Sequence, residues 1–82
     1  MTDAEILEIF TRTLRDLLGD ESIVLSMDTT RADVPKWDSF AYVTFITAVE
    51  MQLGIRFKVA AVESFMTVGD IVAETRKLLA KK

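Results

Sequence analysis

The stretch WDSFAYVTFITAVEMQLG, residues 37–54, decides the fold of this chain. Asp38 is a favourable N-cap residue, and Gly54 can take the left-handed conformation that ends a helix. Between them, apolar residues recur at three- and four-residue steps. The stripe consists of Phe40, Val43, Ile46 or Thr47, Val49 or Glu50, and Leu53. This pattern predicts a helix over residues 39–53, with Phe40 pointing inward as an anchor and Ser39 exposed on the first turn.

Helical patterns also occupy both ends of the chain. Thr2 followed by Glu5 is a capping-box signature, and it predicts a helix from about residue 3 to Leu18. Residues 59–65 can form a short third helix, and Thr67 with Asp70 caps a fourth that ends at about Leu79. With the helix at 39–53, these patterns predict an all-α fold of four helices in a single domain spanning residues 1–82.

A long loop is predicted for residues 20–36. Ser22–Met27 has the composition of a short strand, but no second run offers a partner for it. We therefore expect Ile23, Leu25 and Met27 to attach the loop to the core. A loop of this length is unusual in a small domain and is typical of a functional or Ω-like segment.

The composition excludes several kinds of site. The chain has 82 residues, half of them apolar, and it contains neither cysteine nor histidine. Disulfides, thiolate metal sites, zinc sites of the usual ligands and catalytic triads are therefore excluded. Asp28 and Asp33 lack the spacing of a calcium loop, and the remaining carboxylates are interpreted as caps and solubilising surface. We predict no catalytic residue and no metal site.

The charge distribution and hydropathy bear on partners and location. Residues 1–38 carry nine acidic and four basic side chains, and residues 39–82 carry four and six. The acidic first half argues against nucleic-acid binding, which needs clustered Lys and Arg. No apolar stretch is long enough to span a bilayer, and no signal sequence is recognised. The expectation is a monomer in the cytoplasm without nucleic-acid or membrane partners.

Ser39 is the main candidate for chemistry. A serine hydroxyl is a weak nucleophile unless a base, a metal or a lowered pKa activates it, and this chain has no imidazole or thiol to do so. The activation must come from another protein. Ser39 is therefore interpreted as an attachment point.

The chain resembles the acyl carrier protein family, including the related peptidyl and aminoacyl carrier domains. The resemblance rests on Trp37-Asp38-Ser39, on residues 50–57 and on residues 67–72. In that family an Asp-Ser-Leu motif begins helix II, and its serine carries a 4'-phosphopantetheine arm that a magnesium-dependent transferase takes from coenzyme A. The resemblance implies that Ser39 carries this arm and that Asp38 helps the transferase to position magnesium and the serine.

The resemblance also implies a function. The protein would be a phosphoprotein carrier, not an enzyme, that holds acyl or aminoacyl thioesters for fatty-acid, polyketide or other specialised biosynthesis. Its partners would be a phosphopantetheinyl transferase and enzymes that load and transfer acyl groups. Phe40 replaces the usual leucine, and Phe40 with Val43 is expected to fix the root of the arm. The alternative from another class is a helical interaction module that carries nothing and leaves Ser39 unmodified.

Two surfaces are assigned on this basis, each with an alternative. The predicted partner surface consists of Trp37, Ala41, Tyr42, Thr44, Arg56 and Lys58. It lacks the row of acidic residues that is common in the family, which favours recognition by enzymes of a specialised pathway. In the alternative, Tyr42 is a half-buried spacer, and Arg56 and Lys58 are merely solvated. The candidate lining of an acyl pocket consists of Phe45, Ile46, Val49 and Ile71. The alternative for this set is an ordinary core.

Overall fold

The computed structural model describes residues 1–82 and contains only helices and loops. The four α-helices are α1 (Asp3–Leu18), α2 (Ser39–Leu53), α3 (Val59–Ser64) and α4 (Val68–Ala80), and a 3-10 turn covers Arg31–Asp33. The all-α prediction with four helices is confirmed, and every helix boundary lies within a residue of the predicted one. None of the helices combines the length and the hydropathy that crossing a bilayer requires.

The predicted caps hold the helix ends. Thr2 and Glu5 exchange hydrogen bonds at the start of α1, and the Asp38 Oδ1 accepts the Ala41 N–H at 2.9 Å. Gly19 and Gly54, with φ of 65° and 64°, end α1 and α2 in the left-handed conformation. The side chains of Thr2, Glu5 and Asp38 and the backbone N–H groups of the two glycines thus pair with backbone groups that a helix end leaves without partners.

Asp70 supports the start of α4 in the same way. Its carboxylate accepts the backbone N–H groups of Met66 and Thr67, while the Thr67 Oγ1 accepts the Asp70 N–H. The bonds from Met66 and then Thr67 lower the pKa of the Asp70 carboxyl from its ordinary value. Charged Asp70 therefore stabilises this turn above the carboxyl's ordinary pKa, and the contribution is lost as the pH falls through the lowered value.

The core lies between α1, α2 and α4. Ile6, Phe10 and Leu14 form the buried stripe of α1, and Phe10 meets Phe45 of α2 edge to face, with 5.4 Å between ring centroids. The loop adds Ile23 and Leu25, and Phe57 enters from the segment between α2 and α3. Burial of these side chains is the main source of stability for a chain of this size.

The loop 20–36 is held by its backbone as well as by its side chains. Ile23 and Leu25 are buried as predicted, but the Met27 side chain is 37% exposed, so its predicted role in the core is wrong. The Met27 carbonyl instead accepts the Gly69 N–H, and the Thr29 carbonyl accepts the Val68 N–H, both at 2.8 Å. These bonds satisfy two N–H groups in the first turn of α4 and fix the loop to it.

The buried face of α2 differs from the predicted one at its start. Phe40 is 82% exposed and Val43 is 58% exposed, so the prediction that Phe40 points inward is wrong. The buried side chains of this helix are Ala41, Phe45, Ile46 and Val49. Burial of Trp37, just before the helix, against Phe45 sets the rotation of α2. Since apolar residues occur on both faces of α2, periodicity alone left that rotation undetermined.

Replacing Gly69 with alanine tests the junction between the loop and α4. A Cβ at Gly69 would lie 2.7 Å from the Met27 carbonyl oxygen, which is too close for a backbone neighbour. We expect Gly69→Ala to lower the free energy of unfolding by about 1–3 kcal/mol, measured by urea denaturation. Glycine to alanine in a helix ordinarily stabilises by about 1 kcal/mol. A gain in stability would therefore contradict the assigned contact.

Candidate functional site

Ser39 is the first residue of α2 and is exposed. The Asp38 carboxylate beside it is engaged in capping the helix through Ala41. The Ser39 hydroxyl makes no hydrogen bond within the chain, so no base is in place to remove its proton. The structure thus presents a free, unactivated hydroxyl at the end of a capped helix. Such a hydroxyl suits a serine to which another protein attaches a chemical group.

An unusual backbone conformation precedes the site. Lys36 is the only residue other than glycine with a positive φ, at 74°. The left-handed region costs a residue with a Cβ roughly 1–2 kcal/mol. Val34 and Trp37 on either side are buried, and the Trp37 N–H donates to the Val34 carbonyl at 3.2 Å. Burial of these neighbours keeps Lys36 in this conformation and sends Trp37 inward while Asp38 and Ser39 face solvent.

An open cleft of about 940 Å³ begins at Ser39, and we call it the Ser39 cleft. Its walls come from the loop, the start of α2, α3 and the start of α4. The lining residues are Thr29, Thr30, Arg31, Ala32, Trp37, Asp38, Ser39, Tyr42, Val43, Val62, Glu63, Phe65, Met66, Thr67, Val68 and Ile71. A flexible group attached to Ser39 would therefore have room to lie against the protein.

Tyr42 connects α2 to α3 within this cleft. Its hydroxyl donates a hydrogen bond to the Val62 carbonyl at 2.8 Å. The Arg31 guanidinium lies over the ring, 5.1 Å from the centroid, in a cation–π contact. Burial raises the pKa of the Tyr42 phenol above its ordinary value of 10.0, and the charge of Arg31 opposes that shift. Half-buried Tyr42 thus ties α2 to α3, and its contact with a partner stays a prediction.

Trp37 and Ala41 are not part of an exposed partner surface. Trp37 is 4% exposed, its ring contacts those of Phe45 and Tyr42, and its Nε1–H is buried without a hydrogen-bond partner. Ala41 is buried on the same side of α2. Their assignment to the partner surface is therefore corrected: both belong to the core, because α2 is rotated relative to the predicted stripe.

The other members of the predicted partner surface reach solvent. Thr44 is partly exposed, and its hydroxyl donates to the Phe40 carbonyl one turn earlier. Arg56 and Lys58 are exposed and form no ion pair within the chain. Side chains that contact a partner and side chains that are merely solvated are both exposed, so the role of these residues stays a prediction.

The candidate acyl lining is packed inside the core. Phe45 and Val49 are completely buried, Ile46 is nearly so, and none of the three borders the Ser39 cleft. Only Ile71 reaches its wall. In this structure Phe45, Ile46 and Val49 are packed as an ordinary core, with the aromatic rings of Trp37 and Phe10 next to Phe45. Their role in an acyl pocket stays a prediction.

Apart from half-exposed Glu50, the exposed surface of α2 is uncharged and partly apolar. Phe40, Val43 and Met51 are all exposed, and we call them the apolar face of α2. Phe40 and Met51 are eleven residues apart, so they share one side of the helix. Glu50, the one charged residue of α2, accepts the Phe57 N–H at 2.8 Å and so holds the following segment.

Comparison with known proteins supports an assignment of family. No protein-family profile matches the chain, and no curated protein matches it. Among solved structures, the chain is similar to the solution NMR structure of the holo acyl carrier protein from Geobacter metallireducens, with a TM-score of 0.86 and 30% sequence identity. The match covers 93% of this chain and 87% of the other.

Tyr42 gives a test of the cleft at alkaline pH. Because the phenol's pKa is raised in the folded protein, its contribution to stability is complete below pH 10.0 and is lost as the pH rises through the raised value. We expect wild type to lose this increment on alkaline titration, and Tyr42→Phe to lack that loss. At neutral pH the variant should be less stable by about 1 kcal/mol, since one hydrogen bond is removed.

Absorbance of the phenolate and urea denaturation measure these effects. Tyr42 is the only tyrosine, so the titration reports this residue alone. A midpoint at or below 10.0 in the folded protein would show that the ring is not buried as described.

Proposed function

Because this chain belongs to the acyl carrier protein family, we propose that Ser39 carries a 4'-phosphopantetheine arm that holds acyl or aminoacyl groups as thioesters. Members of this family are carriers and not enzymes. The observation that supports attachment at Ser39 is its free hydroxyl at the first position of α2, beside an open cleft. The residues present fit the arm, since the hydroxyl is accessible and the cleft offers space next to it.

The attachment reaction requires little of the chain itself. A transferase would remove the Ser39 proton, the Oγ would attack the phosphorus next to the pantetheine of coenzyme A, and adenosine bisphosphate would leave. The new Oγ–P bond makes the protein a phosphoprotein. The arm supplies the thiol that a chain without cysteine lacks. The chain fixes the backbone at the start of α2, and with it the position of Ser39, through the Asp38 cap.

Asp38 and Phe40 have separate proposed roles. Asp38 uses Oδ1 for the cap, and its other carboxylate oxygen makes no hydrogen bond, so it remains open to a magnesium ion brought by the transferase. Phe40 is exposed beside Ser39 rather than buried under it. We therefore assign Phe40 to contact with the transferase and with the root of the arm, in place of an anchoring role in the core.

The partner enzymes should recognise the apolar face of α2. It carries no charge, so its association with partners should depend on apolar burial more than on ion pairs. Arg56 and Lys58 would add positive charge at its edge. We propose a single-domain, monomeric, cytoplasmic carrier that serves acyl-loading and acyl-transferring enzymes of a specialised pathway, with fatty-acid and polyketide synthesis among the candidates.

The second candidate function is an interaction module with an unmodified Ser39. Its support is the same apolar face, since exposed apolar side chains on one side of a helix are typical of binding surfaces. The two functions differ in one chemical outcome, the modification of Ser39.

Incubation with coenzyme A, magnesium and a broad-specificity phosphopantetheinyl transferase tests the main proposal. We expect intact-mass measurement to show one added phosphopantetheine on wild type and none on Ser39→Ala. Ser64→Ala serves as the matched control, because Ser64 is another exposed serine, and it should be modified like wild type. An unmodified wild type, under conditions that modify a known carrier, would favour the interaction module.

Phe40→Ala tests the role of the apolar face. Phe40 is exposed, so the variant should keep the stability of wild type within about 0.5 kcal/mol. Loss of an apolar contact worth about 1.4 kcal/mol in the complex should lower the transferase kcat/KM about tenfold. Val24→Ala is the control, since Val24 is exposed on the loop away from the cleft. Equal kcat/KM values for both variants would exclude Phe40 from recognition.

A further inference from the structure

We propose that Arg31 is the counter-ion of the phosphodiester at Ser39 and holds the root of the arm against the loop that precedes α2. This inference rests on the proposed attachment at Ser39. It is carried by the position of the Arg31 guanidinium on the Tyr42 ring, by the absence of another partner for that guanidinium, and by the charges beside the serine. Arg31 would be a positioning residue, since it contacts the arm and takes no part in a reaction.

The phosphate is the part of the arm whose place follows from the structure. Its phosphorus would be bonded directly to the Ser39 Oγ, at the first residue of a helix that is capped by Asp38. Ser39 and Tyr42 are three residues apart on α2. Side chains at that spacing are neighbours on a helix, with about 5–6 Å between their Cβ atoms. A phosphate on Ser39 is therefore placed beside Tyr42.

The Arg31 guanidinium is held at the same place. It lies over the Tyr42 ring, 5.1 Å from the centroid, and the Tyr42 hydroxyl is itself fixed by its bond to the Val62 carbonyl. Arg31 and Ser39 also line the same cleft. The contact with the ring leaves the five N–H groups of the guanidinium available for an oxyanion. Two of them can pair with the two free oxygens of a phosphodiester, as arginine commonly does with phosphate.

Arg31 has no acceptor within the chain. The arginine side chains that form hydrogen bonds are those of Arg15 and Arg76, and the one ion pair joins Arg76 to Asp3. The position of Arg31 on the ring is therefore set without the use of its N–H groups. A phosphate at Ser39 would give these donors an acceptor without breaking any bond that the structure contains.

The charges beside Ser39 give a phosphate one possible counter-ion. Arg31 is the one cation that lines the cleft, and Asp38 and Glu63 are its two carboxylates, so the lining has a formal charge of −1. A phosphodiester adds a further negative charge next to Asp38. Like charges repel one another, and a cation in contact with the phosphate offsets that repulsion. Arg31 is therefore the residue that makes the added charge tolerable.

Lys36 is the other cation close to Ser39 in sequence, but it is directed elsewhere. It does not line the cleft. Hydrogen bonds from Ser22 and, less strongly, the charge of Lys36 lower the pKa of the Asp20 carboxyl from its ordinary value. The Lys36 charge thus acts on Asp20, at the beginning of the loop, and does not replace Arg31.

The NMR signal of the Arg31 Nε–H tests the contact in wild type. A broad-specificity transferase adds phosphopantetheine from coenzyme A, and intact mass confirms the modification. We expect the Arg31 signal to shift on modification at low ionic strength, and the shift to shrink at 1 M NaCl, where the Debye length is about 3 Å. The Arg56 signal is the internal control and should stay in place, since Arg56 lies outside the cleft. An Arg31 signal that does not respond to modification would overturn the inference, whereas absence of the added mass would contradict the proposed function.

Arg31→Gln and Arg56→Gln form a matched pair for a second test, because both change an exposed arginine without an ion pair. For each protein the Tm of the unmodified form is subtracted from that of the modified form. Loss of the contact with Tyr42 affects both forms of Arg31→Gln and cancels in this difference. We expect the difference to be lower in Arg31→Gln than in wild type by about 1–6 °C, since an exposed pair is lost. Arg56→Gln should match wild type. The same difference in all three proteins would overturn the inference.

Discussion

The packing of the buried Trp37 ring against Phe45 is the interaction on which the rest of this structure depends. The ring packs on Phe45 at the centre of the core and on Tyr42 at the cleft, so it joins the two regions. A tryptophan buries a large apolar area, and that gain offsets the left-handed backbone of Lys36 immediately before it. Since Trp37 points inward, the next residues must turn outward, and the start of α2 is fixed with Ser39 in solvent.

Most of the fold could be predicted because it depends on local signals. Thr2, Asp38 and Thr67 each begin a helix with a side chain that accepts a backbone N–H, and Gly19 and Gly54 end helices by taking positive φ. Such signals act within a few residues and are readable in the sequence. The position of Ser39 at the start of α2 followed from the same kind of signal.

The parts that could not be predicted depend on contacts between distant residues. The rotation of α2 was misjudged because both of its faces are apolar, and only the packing of Trp37 on Phe45 chooses between them. The loop is attached to α4 by hydrogen bonds to the carbonyl groups of Met27 and Thr29. Hydrogen bonds between backbone groups cannot be recognised from the pattern of side chains. The walls of the Ser39 cleft depend on both the rotation of α2 and the attachment of the loop, so its lining could not be predicted.

The same rotation gives one short helix two different apolar faces. If Phe40 pointed inward, α2 would have an ordinary buried stripe and a polar outer surface. Instead Ala41, Phe45 and Val49 complete the core, and the larger Phe40 is left in solvent beside Ser39. An exposed phenylalanine contributes little to folding, but its burial by a partner is worth about 1.5–3 kcal/mol. Such burial depends little on salt, so the uncharged apolar face of α2 suits recognition through shape and apolar contact.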